Sequence, residues 1–250
     1  MIISVANQKG GCGKTTTVAN LGSVLAEKHR VLLIDMDPQG NLTTHFGIDK
    51  TSLKSTIYDV MLTGGLESTI LRKDNLDIVP STIDLAGAEV ELNGKIGREY
   101  ILDNELKRVS KKYDFILIDT PPSLGIFTLN SLVASDYVLI PVQAEFFALE
   151  GLTQLMRVIK LVNSRLSRDV KLLGMFLTMF SSRTRSSNEV LNDLRNHYPK
   201  ELLKTIIPRN VTITDSTMVG YPAVKYRKDA KASKSYFELA KEIEKRLKVK

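Results

Sequence analysis

A single cysteine, Cys12, is the whole thiol content of this 250-residue sequence. That excludes an internal disulfide framework and any zinc or iron–sulfur site built from the chain's own thiolates. No run approaches the ~18 consecutive apolar residues that a membrane span requires. The opening Met1-Ile-Ile-Ser-Val-Ala stretch is apolar but follows no basic segment, so a secretory leader is not expected. Internal repeats, low-complexity tracts and Pro/Gly-rich linkers are also missing. The histidines, His29, His45 and His197, are scattered among polar neighbours. They suggest neither a metal cluster nor a catalytic triad, and surface positions are the simplest expectation. A cytoplasmic globular protein is what these absences leave.

What is present is ordinary in amount and uneven in placement. Apolar residues make up 43% and charged residues 25%, a soluble globular composition, and residues 1–250 read as one domain. The net charge is +7, and ten basic against four acidic residues lie between Lys225 and Lys250. A localised basic patch is the electrostatic footprint of a polyanion partner. A solvated lysine-rich helix would give the same count.

Apolar, β-branched runs at Ile2–Ala6, Val31–Asp35, Asp77–Val79, Phe115–Asp119, Tyr137–Val142, Lys171–Met179 and Thr205–Ile207 read as strands. Most are apolar throughout, as parallel strands buried on both faces should be. Between them lie helical patterns at Thr15–Lys28, Arg98–Lys111, Phe147–Leu166, Ser186–Tyr198 and Ala232–Lys248. The alternation predicts a single α/β domain with a doubly wound, mostly parallel sheet flanked by helices, a basic C-terminal helix over 229–248 included. The stretch from Lys50 to Gly97 is richer in Thr, Ser and Gly and reads as short helices and loops.

After the first strand comes Asn7-Gln8-Lys9-Gly10-Gly11-Cys12-Gly13-Lys14-Thr15-Thr16, directly before a helical pattern. The phosphate-loop pattern G-x-x-x-x-G-K-[ST] is met at Gly13-Lys14-Thr15, while its first glycine position holds Gln8. Gly10 and Gly11 compensate inside the loop, where backbone N–H groups must approach phosphate oxygens without a Cβ in the way. The helix start adds its positive end. Lys14 would reach the β- and γ-phosphates, and the Thr15 hydroxyl would ligate Mg²⁺. Asp37 and Asp119 both lie at carboxyl ends of predicted strands, where open α/β sheets bind ligands. There a carboxylate can hold Mg²⁺ or orient an attacking water. Asp35, two residues before Asp37, is a weaker candidate.

Lys9-Gly-Gly-Cys-Gly-Lys14-Thr-Thr resembles the deviant Walker A box of the ParA/MinD ATPases, a branch of the P-loop NTPases. Leu32-Leu-Ile-Asp35-Met-Asp37-Pro38-Gln39-Gly40-Asn41 is similar to that family's switch I, Ile116-Leu-Ile-Asp119-Thr120-Pro121-Pro122 to its switch II, and Ile207-Pro208-Arg209-Asn210 to its loop near the adenine. The similarity runs from Met1 to about Tyr221. The resemblance implies a Soj-like partition ATPase with weak intrinsic activity. It implies nucleotide contacts from Lys9, Gly10, Gly11, Cys12, Gly13, Lys14, Thr15, Thr16, Met179, Pro208 and Asn210. Catalytic roles fall to Lys9, Lys14 and Asp37, and the Mg²⁺ shell to Thr15, Asp37 and Asp119. Lys9 would touch ATP across a sandwich homodimer whose seam includes Gly10 and Glu150. The dimer would bind double-stranded DNA without sequence preference and be released when a ParB-like partner stimulates hydrolysis to ADP, which places the protein on the nucleoid.

Lys225, Arg227, Lys228, Lys231 and Lys234, with Arg183 and Arg185, are the candidate DNA contacts. Tyr236, Leu239, Ala240, Ile243 and Leu247 recur at helical spacing and read as a stripe packed on the sheet. Phe146 and Phe147 read equally as core or as dimer seam. Met175, Met179 and Met218 read as packing residues, and Cys12 as a small residue that fits the loop. A MinD-like membrane-cycling ATPase is the alternative, but the last residues offer little apolar bulk for lipid, so no stable membrane anchor is expected. With a strand beginning at Ile2, an N-terminal DNA-reading extension is not expected either.

Overall fold

The computed structural model describes residues 1–145 and 148–249; of residues 148–150 the backbone alone is described. Among these residues seven strands form one sheet: β1 (Ile2–Val5), β2 (Val31–Asp35), β3 (Leu71–Lys73), β4 (Leu76–Val79), β5 (Phe115–Asp119), β6 (Tyr137–Gln143) and β7 (Lys171–Thr178). Their order is β3-β4-β2-β5-β1-β6-β7. Every pairing is parallel except the β3–β4 hairpin at one edge. Val31–Asp35 and Phe115–Asp119 are buried at every position, which is why these runs lack polar alternation. The chain leaves β1 toward one side and returns to the other, so the crevice for a ligand opens at the carboxyl end of β1.

Among the described residues twelve α-helices surround the sheet: α1 (Lys14–Leu25), α2 (Asn41–His45), α3 (Ile57–Thr63), α4 (Leu66–Thr69), α5 (Leu85–Glu91), α6 (Ile101–Val109), α7 (Ile126–Val133), α8 (Ala148–Arg165), α9 (Arg185–His197), α10 (Val211–Met218), α11 (Ala223–Tyr226) and α12 (Lys231–Leu247). The Lys50–Gly97 region holds α3, α4, the β3–β4 hairpin and α5. On one face α1 and α12 pack over Ile3, Val5, Leu33 and Leu117. On the other, α6 and α7 cover Ile34, Ile116 and Ile118, and α8 and α9 cover the β6–β7 side. In α12, Tyr236, Leu239, Ala240 and Ile243 are buried and Leu247 packs at the edge. Burying such side chains contributes about 1.5–3 kcal/mol each for Leu and Ile, so the basic helix is fixed to the body by its apolar face.

One expected strand does not form. Isolated parallel bridges flank Thr205–Ile207 beside β7, Met175 with Leu202 and Phe180 with Pro208, and within the run Ile207 N donates to Leu177 O at 2.9 Å. Glu242 of α12 accepts from Lys204 N and Thr205 N at 2.8 and 2.9 Å. Leu203 N and Ile207 N donate to Met175 O and Leu177 O of β7, so by alternation Thr205 N is the donor that a continuous ladder would need, and Glu242 takes it. The anticipated Arg98–Lys111 helix is α6 with a 3₁₀ turn at either end.

Asn20 joins this framework to the ligand crevice. Its Nδ2 donates to Thr16 O at 2.8 Å, and its Oδ1 accepts from Val224 N at 3.0 Å, all beneath the surface. Asn20→Ala would leave the buried Val224 N–H without an acceptor, a loss of about 1–3 kcal/mol. The expected result is a lower denaturant midpoint with an unchanged slope m in chemical unfolding followed by circular dichroism.

Candidate active site

The loop after β1 is held at both ends before it turns. Asn7 Nδ2 donates to Pro141 O at 2.7 Å, and Lys9 N donates to Asn7 Oδ1 at 3.0 Å. Further on, Thr178 Oγ1 of β7 donates to Cys12 O at 2.7 Å. Gly11 and Gly13 adopt φ of 72° and 93°, a left-handed conformation that only glycine takes without strain. Gly13 is the N-cap of α1 and offers no side chain to its first turn. The leading amides of that helix are thus left for a ligand, and they carry the positive end of its dipole. Lys14 is buried, and its Nζ crosses the loop to Lys9 O at 3.2 Å.

Gly10, Gly11, Gly13, Lys14, Thr15, Thr16, Asp37 and Met179, all expected from the sequence, line one cavity of about 390 Å³. Pro122 of the switch II-like segment and Thr44, His45 and Thr217 complete its walls. Cys12 is fully buried, and burial pushes its thiol up. Its side chain belongs to the core, so only its backbone can meet a ligand.

Asp35 and Asp119 are register partners on β2 and β5, both wholly buried, and their environments differ sharply. Asp35 accepts from Asp37 N at 3.2 Å, Thr43 N at 2.9 Å and Thr43 Oγ1 at 2.7 Å. It is a structural clamp on the turn that follows β2. Neither carboxylate oxygen of Asp119 has a hydrogen-bond partner. Burial, then the charge of Asp35, pushes the Asp119 carboxyl well above the usual range, while the nearby Thr15 hydroxyl and Lys14 oppose the shift. Such an orphan is costly, and a hard cation with oxygen ligands would relieve it. Among the described residues no group of three or more His, Cys, Asp and Glu could hold a metal alone. The donor set therefore suits Mg²⁺ arriving with phosphate oxygens and its own waters. Asp37 stands at the cavity wall, with Gln39 N donating to its Oδ1 at 2.9 Å.

A second cavity of about 350 Å³ shares Gly13, Thr16 and Met179 with the first. Pro208 and Asn210, both expected, line it together with Ile207, Ile213 and Tyr236. Met179 has φ 52°, an uncommon conformation for a non-glycine residue, and it stands between the two cavities. Asn210 also caps α10 by accepting from Thr212 N at 2.9 Å. The paired volumes suit a phosphate chain and a flat base. Tyr236 belongs to this wall as well as to the α12 stripe, a double use that its helical spacing alone does not reveal.

Lys9 stands outside both cavities. Its Nζ pairs with Glu145 Oε2 at 2.9 Å, and Arg209 approaches Glu145 Oε1 at 3.9 Å. Glu150, expected at a dimer seam, lies outside the described residues in its side chain, as do Phe146 and Phe147 entirely. The basic candidates are dispersed. Lys225 is held by Asp74 and Asn75 at 2.9 and 3.1 Å, Lys228 by Glu27 at 3.0 Å and Arg185 by Glu189 at 2.7 Å. Arg183, Arg227, Lys231 and Lys234 are exposed and, among the described residues, have no ion-pair partner. Two histidines are not surface residues. His29 packs edge-on against Phe115 and pairs with Glu244, and His45 is buried at the first cavity.

The sequence matches an AAA domain family over residues 1–172. It is 44% identical to the sporulation initiation inhibitor protein Soj of Bacillus subtilis, over 97% of either chain. It is also 44% identical to the chromosome partitioning protein ParA of Myxococcus xanthus, over 98% of this chain and 88% of that one. A crystal structure described as cobyrinic acid a,c-diamide synthase from Mycobacterium smegmatis, with bound ATP analogue and magnesium, superposes with a TM-score of 0.87 at 38% identity. That likeness covers 99% of this chain and 96% of the other.

Proposed function

The chain belongs to the Soj/ParA family of chromosome-partitioning ATPases, and from that premise we propose that it hydrolyses ATP to drive a cycle of dimerisation and DNA binding. One observation carries the reading: a buried lysine and the uncapped start of α1 face a cavity beneath which the Asp119 carboxylate has no partner. Those features meet a nucleoside triphosphate and its cation. The partition relatives, similar over nearly the full length of both chains, favour segregation over other uses of the fold.

In this reading Lys14 and the first amides of α1 bind the β- and γ-phosphates. Gly11 and Gly13 let the backbone close on them, and Met179, Pro208, Asn210 and Tyr236 enclose the base. Mg²⁺, when bound, neutralises phosphate charge, with the Thr15 hydroxyl, Asp119 and Asp37 as the residues that would hold it or its waters. Asp37 orients the attacking water from the cavity wall. Among the described residues Lys14 is the one lysine or arginine that lines the phosphate-side cavity, and in this reading intrinsic turnover is weak. Lys9 supplies a second such charge to the other protomer. Its pair with Glu145 is half exposed, so releasing it costs at most about 1 kcal/mol, and in the dimer it reaches the partner's nucleotide beside Gly10 and Glu150. The dimer binds double-stranded DNA non-specifically on the nucleoid, and a ParB-like protein stimulates hydrolysis and release.

The MinD-like alternative needs an amphipathic helix whose bulky apolar face is free for lipid. In α12 that face is packed against the sheet, and among the described residues no helix is long and apolar enough to cross a membrane.

Asp37→Ala tests the cycle. The variant should bind ATP, accumulate as a dimer in light scattering, and turn over at least about tenfold more slowly, the scale of a lost water-positioning group. An ATP-bound monomer with unchanged turnover would refute the reading.

A further inference from the structure

His45 is required by neither the sheet nor the phosphate loop, yet it occupies a built position. It ends α2, is 7% exposed, and lines the phosphate-side cavity. Its Nδ1 lies 3.0 Å from Asn41 O and its Nε2 lies 2.9 Å from Thr217 Oγ1 of α10. A carbonyl only accepts, so Nδ1 carries the ring proton. Burial lowers the ring's proton affinity and keeps it neutral. Nε2 is then an acceptor, and the Thr217 hydroxyl donates to it, although Ile213 O stands 2.9 Å away as a local alternative.

The backbone beside this contact is equally close. Gly47 and Gly220 are both left-handed, at φ 61° and 70°. A Cβ on Gly220 would fall 2.8 Å from Gly47 Cα. This seam matters because α2 has five residues and a glycine N-cap with no side-chain bond, far too short to hold itself. Its middle residue, Thr43, is tied down by Asp35, and Leu42 and Phe46 anchor it in the core. The turn carrying Asp37 leads straight into it, with Gly40 N donating to Asp37 O at 2.8 Å. The far end is held by His45.

We propose that His45 is a positioning residue for phosphate hydrolysis, joining α2 to Thr217 so that the wall bearing Asp37 keeps one geometry. The role rests on the ATP-hydrolysis reading above. His45 lines the phosphate-side cavity but neither hydrogen-bonds to the loop lysine nor lines the base-side cavity, so a positioning role should cost kcat far more than nucleoside diphosphate affinity.

Side-chain length separates the two bonds of the ring. An asparagine amide reaches the position of Nδ1 and can keep the Asn41 contact, whereas a glutamine amide reaches that of Nε2 and can keep Thr217. The experiment measures kcat and KM for ATP·Mg²⁺, affinity for a fluorescent ADP, and Tm, in His45→Asn, His45→Gln, Thr217→Val and Thr217→Ser. His45→Asn and Thr217→Val should lower kcat about fivefold or more, the effect of slightly misplacing a catalytic group, with ADP affinity within about twofold. His45→Gln and Thr217→Ser should recover most of the loss, and the His45→Asn/Thr217→Val double variant should be no slower than either single one. If His45→Gln falls as far as His45→Asn, or ADP affinity and Tm fall in step with kcat, the pair is a packing contact and the proposal is overturned. Wild-type kcat in His45→Asn overturns it as well. Absence of turnover in the wild type would instead sink the hydrolysis reading, and the role of His45 with it.

Discussion

Lys14→Ala is expected to lower nucleotide affinity by at least about 100-fold while leaving the free protein as stable as before. Among the described residues the ammonium is the one lysine charge in the cavity lining, and charge-assisted hydrogen bonds contribute about 1.5–3 kcal/mol each. Losing two such bonds to phosphate oxygens amounts to about 3–6 kcal/mol, or two to four powers of ten in affinity. Without nucleotide the balance reverses. Lys14 is a buried cation whose Nζ is satisfied by a single loop carbonyl, Lys9 O at 3.2 Å, and removing such a charge relieves a desolvation cost. Thermal unfolding with and without saturating ATP·Mg²⁺ reads both effects. The wild type should gain stability as ligand binds the folded state alone, and the variant should gain none while starting from an equal or higher Tm. A wild-type shift in Lys14→Ala would remove the phosphate assignment from this loop.

The phosphate side of this site was legible because its chemistry forces residue types into a short span. Gly11 and Gly13 must be glycine for their φ values, Lys14 must open the helix, and all follow a buried strand. Parallel strands such as Val31–Asp35 announce themselves by being apolar at every position. The base side was harder, since Met179, Pro208, Asn210 and Tyr236 come from three distant segments and only the resemblance brought the first three together. Tyr236 and His45 escaped because position in the pattern predicts burial or exposure, not what lies across a seam. The unformed Thr205–Ile207 strand escaped for a related reason. Glu242 takes the Thr205 N–H that a ladder with β7 would use, a tertiary competition invisible in the Thr205–Ile207 run. The sequence ranks Asp35 below Asp119, but the physical cause, three hydrogen bonds on Asp35 and none on Asp119, is visible only in the fold.

The basic C-terminal region supplies the second large effect. Charge count alone treats Lys225, Arg227, Lys228, Lys231 and Lys234 alike, but Lys225 and Lys228 already neutralise Asp74 and Glu27. Arg227, Lys231 and Lys234 are exposed, and α12 has no acidic residue in its first turn. Cations at the positive end of a helix are electrostatically unfavourable, so Lys231 and Lys234 sit where a phosphate backbone, not the helix, would be the gain. Reversing all three to Glu changes six sites in a two-fold dimer. With one phosphate contact each, the slope of log affinity against log salt should flatten by about 5, at roughly 0.9 per phosphate. The loss should be alike on unrelated DNA sequences, and ATP turnover without DNA should hold, because none of the three lines either cavity. Lys225→Gln should move the slope by less than about half a unit, since a lysine already ion-paired releases few counterions from DNA. The measurement is a salt titration of DNA affinity with ATP bound. A triple variant that keeps the wild-type slope would make the α11–α12 junction a solvated face and move the search to Arg183, exposed before α9 and without an ion-pair partner among the described residues.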